Sequence, residues 1–371
     1  MGSIEHDTSL DFADLPQFPS DVPTAPLLRV NLKALLDGNA AEEEKLWRAC
    51  CDLGFFYLDL RHGKDQQVDG DGLLESAQQC FGLAEDVFNL PVEEKQKYDL
   101  MDKGSYFGYK GYGKGVVDKK GTRDRNEFWN ISKDDILGVG ERLSNPASIS
   151  TEEAREKLRN FMVRSHAVVT LVLERLNSKL GLPEWTLQGL HRMQARSGDQ
   201  VRWVRSPPQE EDDRKQALGE HTDFGSVTVL FNRLGGLQVL PPGREEWAYV
   251  KPLKGHCVVN LGDAMVKFTA GVLRSNLHRV VNPPGQQGDQ VRYSLVYFNR
   301  PEDDVILKVL TGSELIDEKR NEPGFEEGED TNAKQWILNR AMGRRVGGDW
   351  KKGQGTDQSR IEKGSSGVAA S

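Results

Sequence analysis

The sequence predicts an α+β fold with a mainly β core, arranged as an antiparallel sandwich or barrel and braced by helices. Before about residue 200, apolar residues recur at helical spacing in several segments. From Arg202 to Val309 the chain instead offers short β-branched runs separated by Gly, Pro and Asn turns, with no helix predicted between them. Many short strands at this spacing indicate antiparallel sheets rather than repeated β–α–β units.

In the N-terminal part, "LLRVNL" predicts a strand, "AAEEEKLWRACCDLG" a helix ending at Gly54, and residues 55–60 a second strand. "GLLESAQQCFGLAEDVFNL" predicts another helix, and Pro91 starts a further one. The loop "GSYFGYKGYGKG" (104–115) combines five glycines with four aromatic residues. It is either a mobile cover or substrate-facing wall, or a loop packed on its own domain.

The clearest helix follows a capping box predicted at Ser150 and Glu153, and it ends at Gly181. The strands predicted after it are "VRWV", "SVTVLF", "GGLQVL", "WAYV", "CVVNL", "MVKF", "HRVV", "RYSLVYF" and "VILKVL". One more helix is predicted in "AKQWILNRAMGRR".

Composition narrows the range of functions. With 49 basic and 57 acidic residues the formal net charge is −8, so nucleic acid is not an expected partner. No stretch approaches the ~18 uninterrupted apolar residues of a membrane span, and no secretory signal opens the chain. The four cysteines, two of them adjacent on a helical pattern, indicate reduced thiols. We expect a cytoplasmic, monomeric protein with a small-molecule substrate.

The stretch "GEHTDFGSVTVLF" places His221 and Asp223 two residues apart. In a strand these side chains share one face, which makes them either a solvated strand end or two ligands of a metal. His278 begins a later predicted strand, and a rolled sandwich brings it towards the other two. Two imidazoles and one carboxylate suit a non-haem Fe(II) enzyme that activates oxygen, although zinc accepts the same ligands.

Arg292 and Ser294 in "RYS" also lie two apart on one predicted strand. Together they offer a guanidinium and a hydroxyl to a carboxylate. A metal that holds a keto acid needs an anchor of this kind.

The order HTD, a distal histidine and RYS resembles the Fe(II) and 2-oxoglutarate-dependent dioxygenases of the isopenicillin N synthase-like branch. The resemblance covers roughly residues 26–309, including "CDLGFFYLDLRHG", "GTRDRNEFWNISKDD" and "VVNLGDAMVKFTAGVLRSNLHRVV". It implies a double-stranded β-helix, a distorted jelly roll. It implies that His221, Asp223 and His278 bind iron, and that Arg292 and Ser294 hold 2-oxoglutarate. O2 is then the second co-substrate, and ascorbate an accessory reductant.

Composition predicts a flexible N-terminal arm at 1–25, which is polar and proline-dotted, and a disordered, Gly-, Ser- and Lys-rich tail at 346–371. Between them the resemblance implies an N-terminal cap region at 26–150 and a catalytic region with a C-terminal helix at 151–345. The implied reaction converts 2-oxoglutarate to succinate and CO2 while a small molecule, expected to be a specialised metabolite, is hydroxylated, desaturated or cyclised.

Two departures from the family stand out. Ser206, in "VRWVRSPP", stands where relatives carry a tyrosine that assists the keto acid, and the segment between His278 and Arg292 is longer than usual. Two further residues have structural interpretations. Asp263 is predicted to bond turn amides rather than a metal, and Arg279 to meet a carboxylate on the opposite face of its strand.

Two other hypotheses remain open. A non-haem iron oxidase of the same fold that needs no keto acid keeps the same arginine and serine for another carboxylate. A non-catalytic binding module is the third alternative. For the substrate wall, the candidates are Tyr106, Phe107, Tyr109, Tyr112, Trp203, Phe224 and Phe298. The predicted C-terminal helix, around residues 336–342, is the expected lid.

Overall fold

The computed structural model describes residues 14–209, 216–328, 330–353 and 355. The remaining parts of the predicted arm and tail lie outside the described residues. The strands are β1 (Leu28–Asn31), β2 (Phe55–Asp59), β3 (Gly108–Lys110), β4 (Glu127–Ser132), β5 (Gln200–Ser206), β6 (Gln216–His221), β7 (Val227–Asn232), β8 (Leu237–Val239), β9 (Ala248–Tyr249), β10 (His256–Leu261), β11 (His278–Val281) and β12 (Arg292–Asn299).

The helices are α1 (Leu32–Leu36), α2 (Ala40–Asp52), α3 (Gly70–Phe88), α4 (Val92–Gln96), α5 (Lys133–Leu137), α6 (Ala147–Ser150), α7 (Glu152–Lys179), α8 (Thr186–Gly189), α9 (Asp263–Phe268), α10 (Glu314–Arg320) and α11 (Ala333–Gly343). Among the described residues, none of these helices is long and apolar enough to cross a bilayer.

Two sheets form the β core. The larger sheet has the strand order β1-β2-β10-β7-β12-β5-β4-β3, and the smaller has the order β6-β11-β8-β9. Only the β1–β2 pair of the larger sheet is parallel in the described chain. Every residue of the central strand β10 is buried, and its sequence HCVVNL accordingly shows no alternation of apolar and polar residues.

The larger sheet is covered on both faces. On one face, α2, α3 and α7 complete the main apolar core, with Phe161 of α7 packed edge-on against Phe231 of β7. On the other face, Phe55, Tyr57 and Val258 meet Val239 of the smaller sheet in a second apolar cluster. The sheets therefore pack face to face, and helices brace the outside, as the sequence predicts.

Local sequence explains how the chain enters and leaves these elements. Gly54, just after α2, has a φ of +72°, and a Cβ there would collide with the carbonyl of Arg274. Glycine is therefore required at this helix end. The predicted capping box at Ser150 is wrong in its position. The cap of α7 is Thr151, whose Oγ1 accepts from the amide of Ala154 at 3.2 Å, while Ser150 Oγ donates to the carbonyl of Asn145.

Two of the predicted strands are wrong. "MVKF" belongs to α9, which buries Met265, Val266 and Phe268, so a helix does lie within the β region. "VILKVL" is extended but pairs only through an isolated bridge between Ile306 and Asn332 among the described residues. An apolar run this short has no periodicity that separates a helix from a strand. The structure also contains β3 and β4, which the sequence pattern did not predict.

Both predicted ends of the chain are partly packed. Pro16 accepts a hydrogen bond from Gln287 Nε2 at 2.8 Å, and the ring of Phe18 lies 6.1 Å from that of Tyr249. At the other end, residues Trp350–Gly353 form a 3-10 turn, and the carbonyl of Gly353 accepts from Arg344 Nε at 2.7 Å.

Candidate active site

Three predicted ligands meet at one end of the two sheets. His221 is the last residue of β6, and His278 is the first of β11 and its direct partner across the strands. Ligand atoms of these histidines and Asp223 all lie within 4.8 Å of one another. The premise that His221 and Asp223 share a strand is wrong, because β6 ends at His221 and Asp223 lies in the connection to β7.

Hydrogen bonds orient both imidazoles. His221 Nδ1 lies 2.8 Å from the carbonyl oxygen of Gly219, and His278 Nδ1 lies 3.1 Å from that of Asn276. A carbonyl oxygen only accepts, so in each ring Nδ1 carries a proton and Nε2 is the nitrogen available to a metal. Burial and the neighbouring His278 lower the pKa of His221, which keeps this ring neutral.

Two neighbours fix the carboxylate of Asp223. Its Oδ2 accepts from Thr228 Oγ1 at 2.6 Å and from Asn260 Nδ2 at 2.7 Å, while its Oδ1 lies 3.8 Å from His278 Nε2. Burial by itself raises the pKa of Asp223, but the two imidazoles and these hydrogen bonds outweigh it and the pKa is lowered. The carboxylate is therefore ionised, with one oxygen directed to the histidines.

The donor set fits a divalent transition metal. Two imidazole nitrogens and one carboxylate oxygen converge, and orienting hydrogen bonds of this kind are a regular feature of metal sites. By donor chemistry alone, iron and zinc both fit.

An inter-sheet cavity of about 650 Å³ runs from this cluster to the far end of β12. Alternate residues of β5 and β12 line it, and Leu230, Leu237 and Val280 add apolar walls. The lining residues of the two strands are Arg202, Val204, Ser206, Arg292, Ser294, Val296 and Phe298. Strand alternation thus brings Arg292 and Ser294 into the same cavity as the three predicted metal ligands.

Arg292 is a buried cation in the wall of the inter-sheet cavity. It is 2% exposed, and it donates through Nε to the carbonyl of Gly235 at 2.6 Å and through Nη1 to Ser294 Oγ at 2.5 Å. Burial lowers its pKa to about 10, so it remains charged. In the described part of the chain no carboxylate lies within ion-pair distance of it. A buried cation in this state calls for an anionic ligand.

Ser206 pairs directly with Arg292 across β5 and β12. It is 4% exposed, and its Oγ has no hydrogen-bond partner within the described chain. This orphaned hydroxyl lines the inter-sheet cavity, at the position where the resemblance implied a tyrosine in relatives.

A second cavity of about 870 Å³, called the outer cavity, adjoins the inter-sheet cavity. His221, Asp223, Arg202, Leu218 and Phe298 line both. Of the predicted wall residues, Tyr106, Phe224 and Phe298 line the outer cavity. Tyr109 and Trp203 are instead buried core residues, Tyr112 is half exposed, and Phe107 packs on Tyr106. Ala341, Arg344 and Arg345 bring the end of α11 to the cavity.

The structure shows which side chains Arg279 and Asp263 contact, the two residues that were given structural roles from the sequence. Arg279 does meet a carboxylate, with Nη1 3.4 Å from Glu220 Oε1. Asp263 accepts from the hydroxyl of Thr222 at 3.0 Å, a side-chain bond that its sequence context did not predict.

Sequence reasoning missed Thr228, Asn260 and Arg202. For Arg202 a signal existed, because it lies at even spacing from Ser206 on one strand and must share its face. Thr228 and Asn260 lie on neighbouring strands and meet Asp223 only in three dimensions, so spacing along the chain carried no signal.

Comparison with known families covers most of the chain. A profile of the 2OG-Fe(II) oxygenase superfamily matches residues 196–301. A second profile, described as the N-terminal region of the non-haem dioxygenase in morphine synthesis, matches residues 26–151.

Among curated proteins, the 2-oxoglutarate-dependent dioxygenase gloE of Glarea lozoyensis is 34% identical over 282 residues, which are 75% of this chain and 80% of that protein. A 2-oxoglutarate-dependent dioxygenase of Aspergillus fumigatus is 32% identical over 331 residues, which cover 82% of this chain and 84% of that protein.

Solved structures show the same fold. A full-length Neurospora crassa protein in complex with alpha-KG has a TM-score of 0.69 at 21% identity, over 87% of this chain and 97% of that one. The rice dioxygenase for auxin oxidation has a TM-score of 0.61 at 23% identity, over 86% of this chain and 97% of that one. These likenesses confirm the predicted double-stranded β-helix.

Proposed function

This chain belongs to the 2-oxoglutarate and Fe(II)-dependent oxygenase superfamily, and on that premise we propose roles for the residues of its site. The chain is an Fe(II)- and 2-oxoglutarate-dependent dioxygenase that oxidises a small molecule and forms succinate and CO2. We assign His221, Asp223 and His278 as the iron ligands, and Arg292 with Ser294 as the anchor of the distal carboxylate of 2-oxoglutarate.

One observation carries these assignments. A single inter-sheet cavity joins the three converging ligands to a buried arginine that has no carboxylate partner in the described chain. A dicarboxylic keto acid needs both ends of such a cavity, one for chelation and one for its second charge. An anion bound only at Arg292 does not account for the three converging ligands. A metal bound only at the histidines does not account for the buried arginine.

We assign each residue of the site a separate role in the reaction. Bound iron supplies O2 activation and, with 2-oxoglutarate, the oxidising power of the reaction. Arg292 neutralises and orients the distal carboxylate, and Ser294 holds the guanidinium in place. Thr228 and Asn260 keep one oxygen of Asp223 occupied and present the other to the metal. The apolar walls from Leu230, Leu237 and Val280 exclude water around the keto acid.

The family relationship favours this activity over the keto acid-independent oxidase and over the binding module. Anaerobic titration with Fe(II) and 2-oxoglutarate should give the weak visible charge-transfer band of a chelated keto acid. In air, succinate should form from 2-oxoglutarate. Asp223→Ala should abolish both signals, and Asp86→Ala, which removes an exposed carboxylate on α3, should preserve them. A protein that binds iron without the band or succinate would contradict the keto acid assignment.

Four finer features belong to the same proposal. The substrate is a specialised metabolite, the enzyme works as a monomer, and it resides in the reducing cytosol. Its four cysteines are free thiols, and burial raises the pKa of Cys51 to about 12. We divide the chain functionally at residue 150, between a cap region and a catalytic region. Light scattering of the purified protein tests the monomer, since a stable dimer would contradict it.

A further inference from the structure

More cationic than anionic side chains line the outer cavity. Five cationic side chains line it, namely Lys110, Arg202, Arg300, Arg344 and Arg345. The carboxylates on the same wall are Asp124 and Asp223. Asp124 forms an ion pair with Lys110, and Asp223 is assigned to the metal. The arginines of this wall therefore face a cavity with few negative groups of its own.

Arg202 lies where the two cavities join. Its Nε donates to Asn130 Oδ1 at 2.7 Å, and its guanidinium carbon lies 4.3 Å from the ring centre of Phe128 and 5.0 Å from that of Phe298. Stacking between two rings fixes the guanidinium plane and leaves its other N–H groups at the edge. No ion pair to Arg202 occurs within the described residues. Burial and the neighbouring Arg300 lower its pKa to about 9.

Arg345 reaches the same wall from just beyond α11. It is 5% exposed, its guanidinium carbon lies 5.3 Å from the ring centre of Phe128, and its Nη2 has no hydrogen-bond partner among the described residues. Arg300 is equally buried, and its Nε also lacks a partner there. Neither arginine forms an ion pair with a carboxylate in the part of the chain that the structure describes.

Buried guanidinium groups without an ion-pair partner are costly, and orphaned N–H donors add to the cost. Arg202 and Arg345 both lie near the ring of Phe128, and both line the outer cavity. An anionic group in that cavity supplies an ion-pair partner to the two arginines and an acceptor for Nη2 of Arg345. The rest of the wall, with Phe224 and Phe298 beside the metal ligands, suits an apolar body.

We propose that the substrate is a small organic acid whose carboxylate binds to Arg202 and Arg345 and whose apolar body lies against Phe224 and Phe298. This inference rests on the proposed function, since it names the substrate class of that site. The acid group lies in the outer cavity, and the keto acid lies in the inter-sheet cavity at Arg292. Two separate anion sites thus serve the two organic reactants.

The test compares acids with their neutral amides. Phenylacetate, naphthalene-1-acetate and 4-phenylbutyrate are each paired with the corresponding primary amide. Binding is measured by the change in thermal stability of the anaerobic Fe(II) and 2-oxoglutarate complex, and again with the metal-free protein. Across the panel, acids should bind at least about tenfold more tightly than their amides, the expected value of a charge-assisted contact. A panel in which no acid binds better than its amide contradicts the proposal.

Variants locate the site. Arg202→Gln and Arg345→Gln should each remove most of the preference for the acid while the affinity for 2-oxoglutarate stays unchanged. Arg345→Lys should restore part of it. Arg244→Gln, an exposed arginine outside both cavities, is the matched control and should behave as wild type. Circular dichroism checks each fold, and both Gln variants should stay folded because they remove unpaired charge.

Two results would overturn the assignment. One is a preference for acids that survives in both Gln variants. The other is an Arg202→Gln variant that loses 2-oxoglutarate affinity and keeps the preference, which would make Arg202 part of the keto acid site. Failure of the proposed function looks different. In that case the charge-transfer band is absent, while the metal-free protein still discriminates acid from amide.

Discussion

The inter-sheet cavity and the outer cavity share two of the proposed metal ligands, His221 and Asp223, but differ in construction. Alternate residues of β5 and β12 form much of the inter-sheet cavity, and its cation Arg292 donates hydrogen bonds to a backbone carbonyl and to a serine two residues along. The outer cavity collects side chains from the loop at Tyr106, from strands, and from the end of α11, and Arg202 and Arg345 stack there on an aromatic ring.

This difference indicates which cavity sets the specificity for the organic substrate. A site made from regular strands has its side chains placed by backbone pairing and suits the reactant that is common to the family. A site that also draws on a loop and a helix end can vary in those parts without disturbing the sheets, so it suits the reactant that differs between relatives. Single substitutions should separate the two cavities, and the largest effect is expected at a ligand that they share.

Replacing a shared ligand should disable both cavities. In Asp223→Ala we expect succinate formation to fall by more than about 100-fold, because even residues that only orient a metal ligand contribute about 10- to 100-fold. Anaerobic Fe(II) binding and succinate release measure the effect, with circular dichroism as the check on folding. Substantial turnover in this variant would remove Asp223 from the ligand set.

Arg292→Gln should damage the inter-sheet cavity alone. The dissociation constant for 2-oxoglutarate should rise about 10- to 100-fold, since a buried charge-assisted contact to the distal carboxylate is lost. Titration of the charge-transfer band measures it. The acid-over-amide preference of the outer cavity should persist. If Arg292→Gln abolished that preference as well, the two cavities would not be separate anion sites.

Thr228→Val tests how firmly the shared ligand is held. It preserves the side-chain shape but removes the donor 2.6 Å from Asp223 Oδ2. We expect an approximately tenfold weaker affinity for Fe(II), the lower end of what orienting residues contribute. Thr170→Val is the control, because that hydroxyl bonds within α7, far from the metal ligands in the fold. Equal metal affinity in wild type and Thr228→Val would show that Asn260 alone positions the carboxylate.

Ser206→Ala should have the smallest effect. The hydroxyl has no partner in the described chain, so its removal leaves the free energy of unfolding of the ligand-free protein unchanged or slightly raised. With 2-oxoglutarate we expect an affinity about fivefold weaker, the value of one ordinary hydrogen bond. Chemical denaturation measures the free energy of unfolding, and titration of the charge-transfer band measures the affinity for 2-oxoglutarate. An unchanged affinity would show that Ser206 does not replace the contact made by the family's tyrosine.

Much of the fold was predictable because β-branched runs and apolar residues at helical spacing indicate which faces of a strand or helix are buried. The wrong strand and cap predictions lie where this pattern is short or ambiguous. "MVKF" is too short to distinguish a helix from a strand, and Ser150 and Thr151 are both chemically suitable caps. The strand β4 was missed because "EFWNIS" is buried at almost every position and shows no alternation.

Residue type and order along the chain determined by themselves the metal-binding chemistry, the pairing of Arg292 with Ser294 and the β-rich class, because strand alternation and donor chemistry are local properties. Tertiary structure alone decided that His278 stands opposite His221, that Thr228 and Asn260 hold Asp223, and that Arg202 and Arg345 flank Phe128. These contacts join residues far apart in the chain, and the packing of two sheets and a helix end fixes them.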